Sequence, residues 1–75
     1  MARTDTPEAK GWLLEYGQRV RALREDAGLS QAALAFAAEL HPTYVSGVEC
    51  GHRNVSLVNI RALARALSRP VADFF

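Results

Sequence analysis

Leu29-Ser30-Gln31-Ala32-Ala33-Leu34-Ala35-Phe36-Ala37-Ala38-Glu39-Leu40-His41-Pro42-Thr43-Tyr44-Val45-Ser46-Gly47-Val48-Glu49-Cys50-Gly51 is the stretch from which the rest of the chain is read. The hydroxyl of Ser30 can accept one of the backbone N–H groups left unpaired at a helix start, so a helix is expected from Gln31. Leu34, Ala35 and Ala38 recur at helical spacing and give it one apolar face, ending near Glu39. Pro42 suits the first turn of a second helix, where a missing N–H costs nothing, and it steers His41 out of the α region. That helix runs to about Cys50, with Val45 and Val48 inward, Gly51 as its stop, and Thr43, Tyr44, Ser46 and Gly47 on the opposite face.

Two helices this short, with a break confined to residues 39–41, must cross steeply. Ala35 is small enough to let the second approach the first. The geometry is that of a helix-turn-helix, whose second helix fits the major groove of DNA.

A chain of 75 residues holds one domain, close to the size at which a single core is only marginally stable. Apolar residues make up 49%, Ala and Leu dominate and strand formers are scattered, so the expected class is all-α. No apolar run approaches the ~20 residues of a membrane span, and residues 1–5 lack the apolar centre of a signal peptide. A cytoplasmic protein with no membrane partner is therefore expected. The single cysteine, Cys50, agrees with a reducing compartment. Nine basic and eight acidic side chains leave a formal charge of +1, a weak nucleic-acid footprint, so local clustering must supply what net charge does not.

Residues 1–11 are polar and contain Thr6-Pro7, which predicts a flexible arm with at most a helical turn at Pro7-Glu8; residues 12–75 form the domain. From 12 to 27, Trp12, Leu13, Tyr16, Val20, Leu23 and Ala27 fall three or four apart, a helix with one buried face that Gly28 ends. Trp12 and Tyr16 at this spacing read as core or subunit-contact residues rather than as a stacking platform for bases. After Gly51 comes a polar loop, and Ser56 caps a fourth helix with the apolar stripe Leu57, Ile60, Leu63, Ala64 and Leu67. Arg61 and Arg65 share its polar face. Pro70 starts a fifth, short helix carrying Val71, Phe74 and Phe75. Two adjacent phenylalanines cannot both enter so small a core, so Val71, Phe74 and Phe75, with Arg69 beside them, are assigned to a subunit interface.

Gly28-Leu29-Ser30-Gln31, then Leu34-Ala35, Tyr44-Val45-Ser46-Gly47-Val48-Glu49 and Gly51 together resemble the Cro and lambda-repressor-like (XRE) helix-turn-helix family, over roughly residues 16–75. The run from Thr43 to Glu49 followed by Arg53-Asn54 is most similar to the controller proteins of restriction-modification systems. The resemblance implies a compact five-helix domain that regulates transcription as a homodimer on a pseudo-palindromic DNA operator. It also implies an ion pair between Arg24 and Glu49 that sets how their helices meet; the alternative is two unrelated surface charges.

Phosphate contacts set register on DNA, whereas base-edge contacts carry sequence information. Gln31, at a helix N-terminus whose N–H groups and dipole favour an anion, is assigned to phosphate, as the resemblance implies, together with His52 and Asn54. Thr43, Tyr44 and Ser46 are assigned to bases; Thr and Ser can hydrogen-bond base edges, and Tyr44 can instead pack along the backbone. Arg53 resembles a residue that controller proteins use on DNA and is assigned to a base or narrow groove as well as to phosphate.

Four positions depart from the family pattern. Pro42 stands where relatives carry Arg or another long polar residue, so discrimination is expected to lean on DNA shape. Glu39 holds a turn position usual for Gly or Asn, at a cost of ~1 to 2 kcal/mol if left-handed. Ala37 replaces a basic side chain, and Cys50 a polar or basic one.

Other readings are weaker. Cys50-Gly51-His52 with His41 offers three metal ligands, but the spacing matches no zinc signature and a structural site wants four. No cofactor is expected, and Cys50 reads as an inert thiol rather than a redox sensor, because a helix C-terminus disfavours the thiolate. No nucleophile motif points to an enzyme. The alternative function is an antitoxin or other protein-binding module of the same fold, with a protein partner. Such proteins usually carry a further segment for the toxin, and the chain has little beyond the domain.

Overall fold

The sequence places Thr6 before Pro7-Glu8-Ala9, and in the computed structural model, which describes residues 6–75, that is where the first helix begins. The Thr6 hydroxyl accepts the Ala9 N–H at 3.1 Å and Pro7 fills the first helical position, so α1 spans Pro7–Asp26. The expected arm therefore gives way to helix from Pro7 on. Its residues 1–5 lie outside the described residues.

Three more α-helices follow: α2 (Gln31–Ala38), α3 (Pro42–Glu49) and α4 (Leu57–Ala66). The expected fifth helix is instead a single 3₁₀ turn, Val71–Phe74, closed by Asp73 N–H to Pro70 O and Phe75 N–H to Ala72 O. No side chain caps its start, and so short a segment has no room for an α-helical nucleus.

All four α-helices end alike. Gly28, Glu39, Gly51 and Ser68 take positive φ, and the next residue's N–H reaches back to a carbonyl five residues earlier: Leu29 to Arg24, Leu40 to Ala35, His52 to Gly47 and Arg69 to Ala64, at 2.8 to 3.1 Å. The pattern satisfies carbonyls that each last turn leaves unpaired. Glu39, at φ 59° and ψ 42°, is left-handed despite its Cβ.

The core gathers Val20 from α1, Leu34 and Ala35 from α2, Val45 and Val48 from α3, Leu63 and Ala64 from α4, Leu67 just past its end, and Phe74 from the terminal turn. Phe74 is 2% exposed and its ring lies 6.0 Å from that of Tyr16, so it belongs to the interior and not to a subunit surface. Phe75 is 72% exposed and leans on the outer side of Tyr16 at 5.4 Å. The adjacent rings divide because the 3₁₀ turn sends one in and leaves the other out. Val71 is half-buried against the core, and Arg69 is engaged within the chain, bonding Asp26 at 2.9 Å and Asp73 at 3.2 Å.

Other assignments shift too. Leu57 is exposed rather than part of the α4 stripe, which packs inward only from Ile60 on; Val58 is exposed beside it. Trp12 on α1 and Ala27 just past its end also face outward.

Two features of α1 escape its apolar periodicity. At Gly17 it passes so close to the end of α3 that a Cβ there would stand 2.1 Å from the Val48 carbonyl oxygen and 2.8 Å from that of Glu49. One residue earlier, it buries the Tyr16 hydroxyl with no hydrogen-bond partner among the described residues. Desolvation, with Tyr44 nearby, pushes that phenol up to about 12.

Candidate nucleic-acid interface

Local chemistry sets the turn between α2 and α3. The Ser30 hydroxyl accepts the Ala33 N–H at 3.0 Å, starting α2 where the sequence predicts. The left-handed Glu39 reverses the chain, and His41 then caps α3 through its imidazole, Nδ1 accepting the Thr43 N–H at 3.0 Å. Val45 and Val48 are buried, which leaves the opposite face of α3 outward. Pro42 and Thr43 are exposed there, and Tyr44, Ser46 and Gly47 are half-exposed.

Behind this face, Arg24 and Glu49 form the ion pair that the resemblance implies. Arg24 Nε donates to Glu49 Oε2 at 2.6 Å and Nη2 to Oε1 at 3.0 Å, both side chains buried. Arg24 Nη1 also donates to the Leu29 carbonyl at 2.8 Å, and the bonds to Glu49 hold the guanidinium pKa above its ordinary value. A two-pronged pair of this kind fixes orientation as well as distance.

Gln31 joins the same network: its Nε2 donates to Glu49 Oε1 at 3.0 Å. The residue assigned to phosphate is thus half-buried and held by a carboxylate, while its position at the start of α2 is as expected. That second role could have been suspected from Gln31 flanking the Arg24–Glu49 pair, but nothing in its local spacing encodes it.

His52, Arg53 and Asn54 are exposed in the loop after α3. Arg53 folds back over α3, its guanidinium carbon 5.6 Å from the centre of the Tyr44 ring. Tyr44 is held in turn from α4, where Asn59 Nδ2 donates to its hydroxyl at 3.0 Å. Asn59 was not among the sequence-derived candidates. Thr43, Tyr44, Ser46 and Arg53 therefore share one surface, with His52 and Asn54 beside it on the loop.

Elsewhere, Arg61 and Arg65 line a shallow groove against Ala37, Ala38 and Glu39. Cys50 is exposed at the end of α3, in a cleft with Lys10, Leu14 and His52. Among the described residues, His, Cys, Asp and Glu form no group of three or more able to hold a metal ion, and no helix is long and apolar enough to cross a membrane.

Residues 15–74 match the family described as helix-turn-helix domain. The chain is 49% identical over 55 residues to control protein C.BamHI of Bacillus amyloliquefaciens, an alignment spanning 72% of this chain and 68% of that one. It is 36% identical over 63 residues to control protein C.MunI of a Mycoplasma species, spanning 83% and 85% respectively. Among solved structures, the restriction-modification controller protein C.AhdI from Aeromonas hydrophila superposes with a TM-score of 0.85 at 52% identity, over 87% of this chain and 98% of that one.

Proposed function

The chain belongs to the helix-turn-helix domain family, as a DNA-binding transcription regulator similar to restriction-modification controller proteins, and on that premise we propose that it is itself such a controller, acting as a homodimer on a pseudo-palindromic operator. The observation that carries the reading is the outward face of α3, where Thr43 is exposed and Tyr44 and Ser46 are half-exposed, with Arg53 folded over the Tyr44 ring. Thr43, Ser46 and Arg53 supply donors and acceptors for base edges, and Tyr44 packs against them. His52 and Asn54 serve the flanking phosphates, and Gln31 does so by exchanging Glu49 for phosphate at the start of α2.

The helix itself contains no Lys or Arg, so one copy binds weakly and two are needed. A two-fold axis would set the two α3 helices ~34 Å apart, one turn of DNA. Leu57 and Val58 are well placed for the subunit contact, because they start the helix that holds Tyr44 through Asn59 and are 69% and 74% exposed. Phe75 is the second apolar candidate, with the half-buried Val71 of the terminal turn.

The test is a fluorescence anisotropy titration against duplex DNA from immediately upstream of the coding sequence, at two salt concentrations, with sedimentation equilibrium in parallel. A dimer that prefers this DNA to a scrambled duplex by about a thousandfold or more supports the reading. Arg53→Ala should weaken binding and lower the salt slope by about one unit. A monomer with no preference between the duplexes would overturn it.

A further inference from the structure

The positive charge on the reading face comes from outside α3, and something must bring it there. Arg53 belongs to the loop, and its aliphatic stem crosses α3 at Gly47. A Cβ built on Gly47 would stand 2.7 Å from Arg53 Cγ and 3.2 Å from Nε. Any other side chain at position 47 would lift the arginine off the helix. Beyond Gly47 the guanidinium rests over the Tyr44 ring, and that ring is tethered by the 3.0 Å bond from Asn59. A free arginine has wide rotamer freedom; this one has a floor, a shelf and a tether for the shelf.

We propose that Gly47 and Asn59 are positioning residues for DNA recognition: Gly47 admits the Arg53 stem across α3, Asn59 locks the Tyr44 ring beneath its guanidinium, and the pair aim that guanidinium at a guanine edge in the major groove. Guanine presents O6 and N7 as adjacent acceptors there, and the planar fork of arginine matches both. The proposal rests on the DNA-reading assignment above and adds residues that touch no DNA themselves. It also gives a reason for a glycine inside a helix of eight residues, where intrinsic propensity opposes one.

The experiment uses a duplex selected by the full-length protein from a random pool, and derivatives in which each G·C pair is changed in turn to A·T. Gly47→Ala should keep or raise the thermal midpoint, because alanine is the better helix former and the Arg53 stem can swing away. It should also lower discrimination at one G·C pair by about tenfold. Gain of stability with loss of discrimination is not what a merely structural glycine produces. Arg53→Ala should lose the same discrimination, and the double variant should behave as Arg53→Ala alone, since one residue acts through the other. Asn59→Ala and Tyr44→Phe should each give a smaller loss, equal and not additive.

Additive effects of Gly47→Ala and Arg53→Ala, or unchanged discrimination in Gly47→Ala while Arg53→Ala loses it, would overturn the positioning role and leave the DNA-reading assignment standing. Failure of the unaltered protein to select any duplex would overturn both.

Discussion

Gly17 and Gly11 lie in the same helix, and alanine at the two positions should have opposite effects on stability. At Gly17 the new Cβ would stand 2.1 Å from a carbonyl oxygen of α3, roughly 1.2 Å inside the about 3.3 Å at which carbon and carbonyl oxygen rest. The obstacle is backbone, so no rotamer change relieves it and the two helices must separate. Overpacking of this kind costs ~1 to 3 kcal/mol, set against a gain of ~1 kcal/mol from replacing glycine inside a helix. Separation also pulls on the Arg24–Glu49 bond, at 2.6 Å, which joins the same two helices. Because backbone cannot yield, the upper end of that cost applies, and a net loss of about 2 kcal/mol is expected, from a total of roughly 4 to 11 kcal/mol for a domain of this size. At Gly11 nothing lies within 4 Å of the added carbon, so Gly11→Ala should stabilise by about 0.5 to 1 kcal/mol. Urea unfolding followed by circular dichroism at 222 nm measures both. If Gly17→Ala matched or exceeded the unaltered protein, α1 would not press on the end of α3 and the argument from close approach would fail.

Glu49→Ala should cost ~3 to 5 kcal/mol in the same assay, because it leaves the buried Arg24 guanidinium without its partner. Arg24→Met with Glu49→Leu should recover most of that loss, and an equally unstable double variant would contradict a desolvation origin. Tyr16→Phe removes the buried, unpartnered hydroxyl and should leave stability unchanged or up to about 1 kcal/mol higher at neutral pH. With the folded phenol pushed up to about 12 from the ordinary 10, its contribution is intact below pH 10 and is lost as pH rises from there through 12. The phenylalanine variant should therefore show a shallower alkaline loss in unfolding titrations, and identical pH profiles would count against the burial. Glu39→Gly relieves a left-handed residue at ~1 to 2 kcal/mol while adding chain entropy of ~0.5 to 1 kcal/mol. A rise of about 4 °C in thermal midpoint is expected, with none for Glu39→Ala.

What could be read from the chain was local. Ser30, Pro42 and Gly51 act on the backbone beside them, so the bounds of α2 and α3 followed from their chemistry. Thr6 has the same chemistry, yet the apolar spacing from Trp12 on drew the helix start away from it. The inward residues of α2 and α3 were legible because a helix of eight residues has room for one stripe. Phe74 and Leu57 were misassigned because their direction depends on neighbours distant in sequence: a 3₁₀ turn divides Phe74 from Phe75, and α4 meets the core only from Ile60. The pair of Arg24 with Glu49 came from family resemblance, since no periodicity joins residues so far apart. Gly17, Gly47 and Asn59 matter through what passes over or against them, which only the assembled helices reveal.

The carboxylate of Glu49 receives bonds from Arg24 on α1 and Gln31 on α2 while itself belonging to α3. Three helices thus share one fastening point, and none can open alone without stranding a charge or a donor in the others. In native-state hydrogen exchange the amides of α2 and α3 should exchange as one unit rather than fray separately. As the reading helix proposed above, α3 would have little backbone freedom left to surrender on entering a groove. The ordering cost of recognition would then be met at folding, leaving DNA only side chains to arrange.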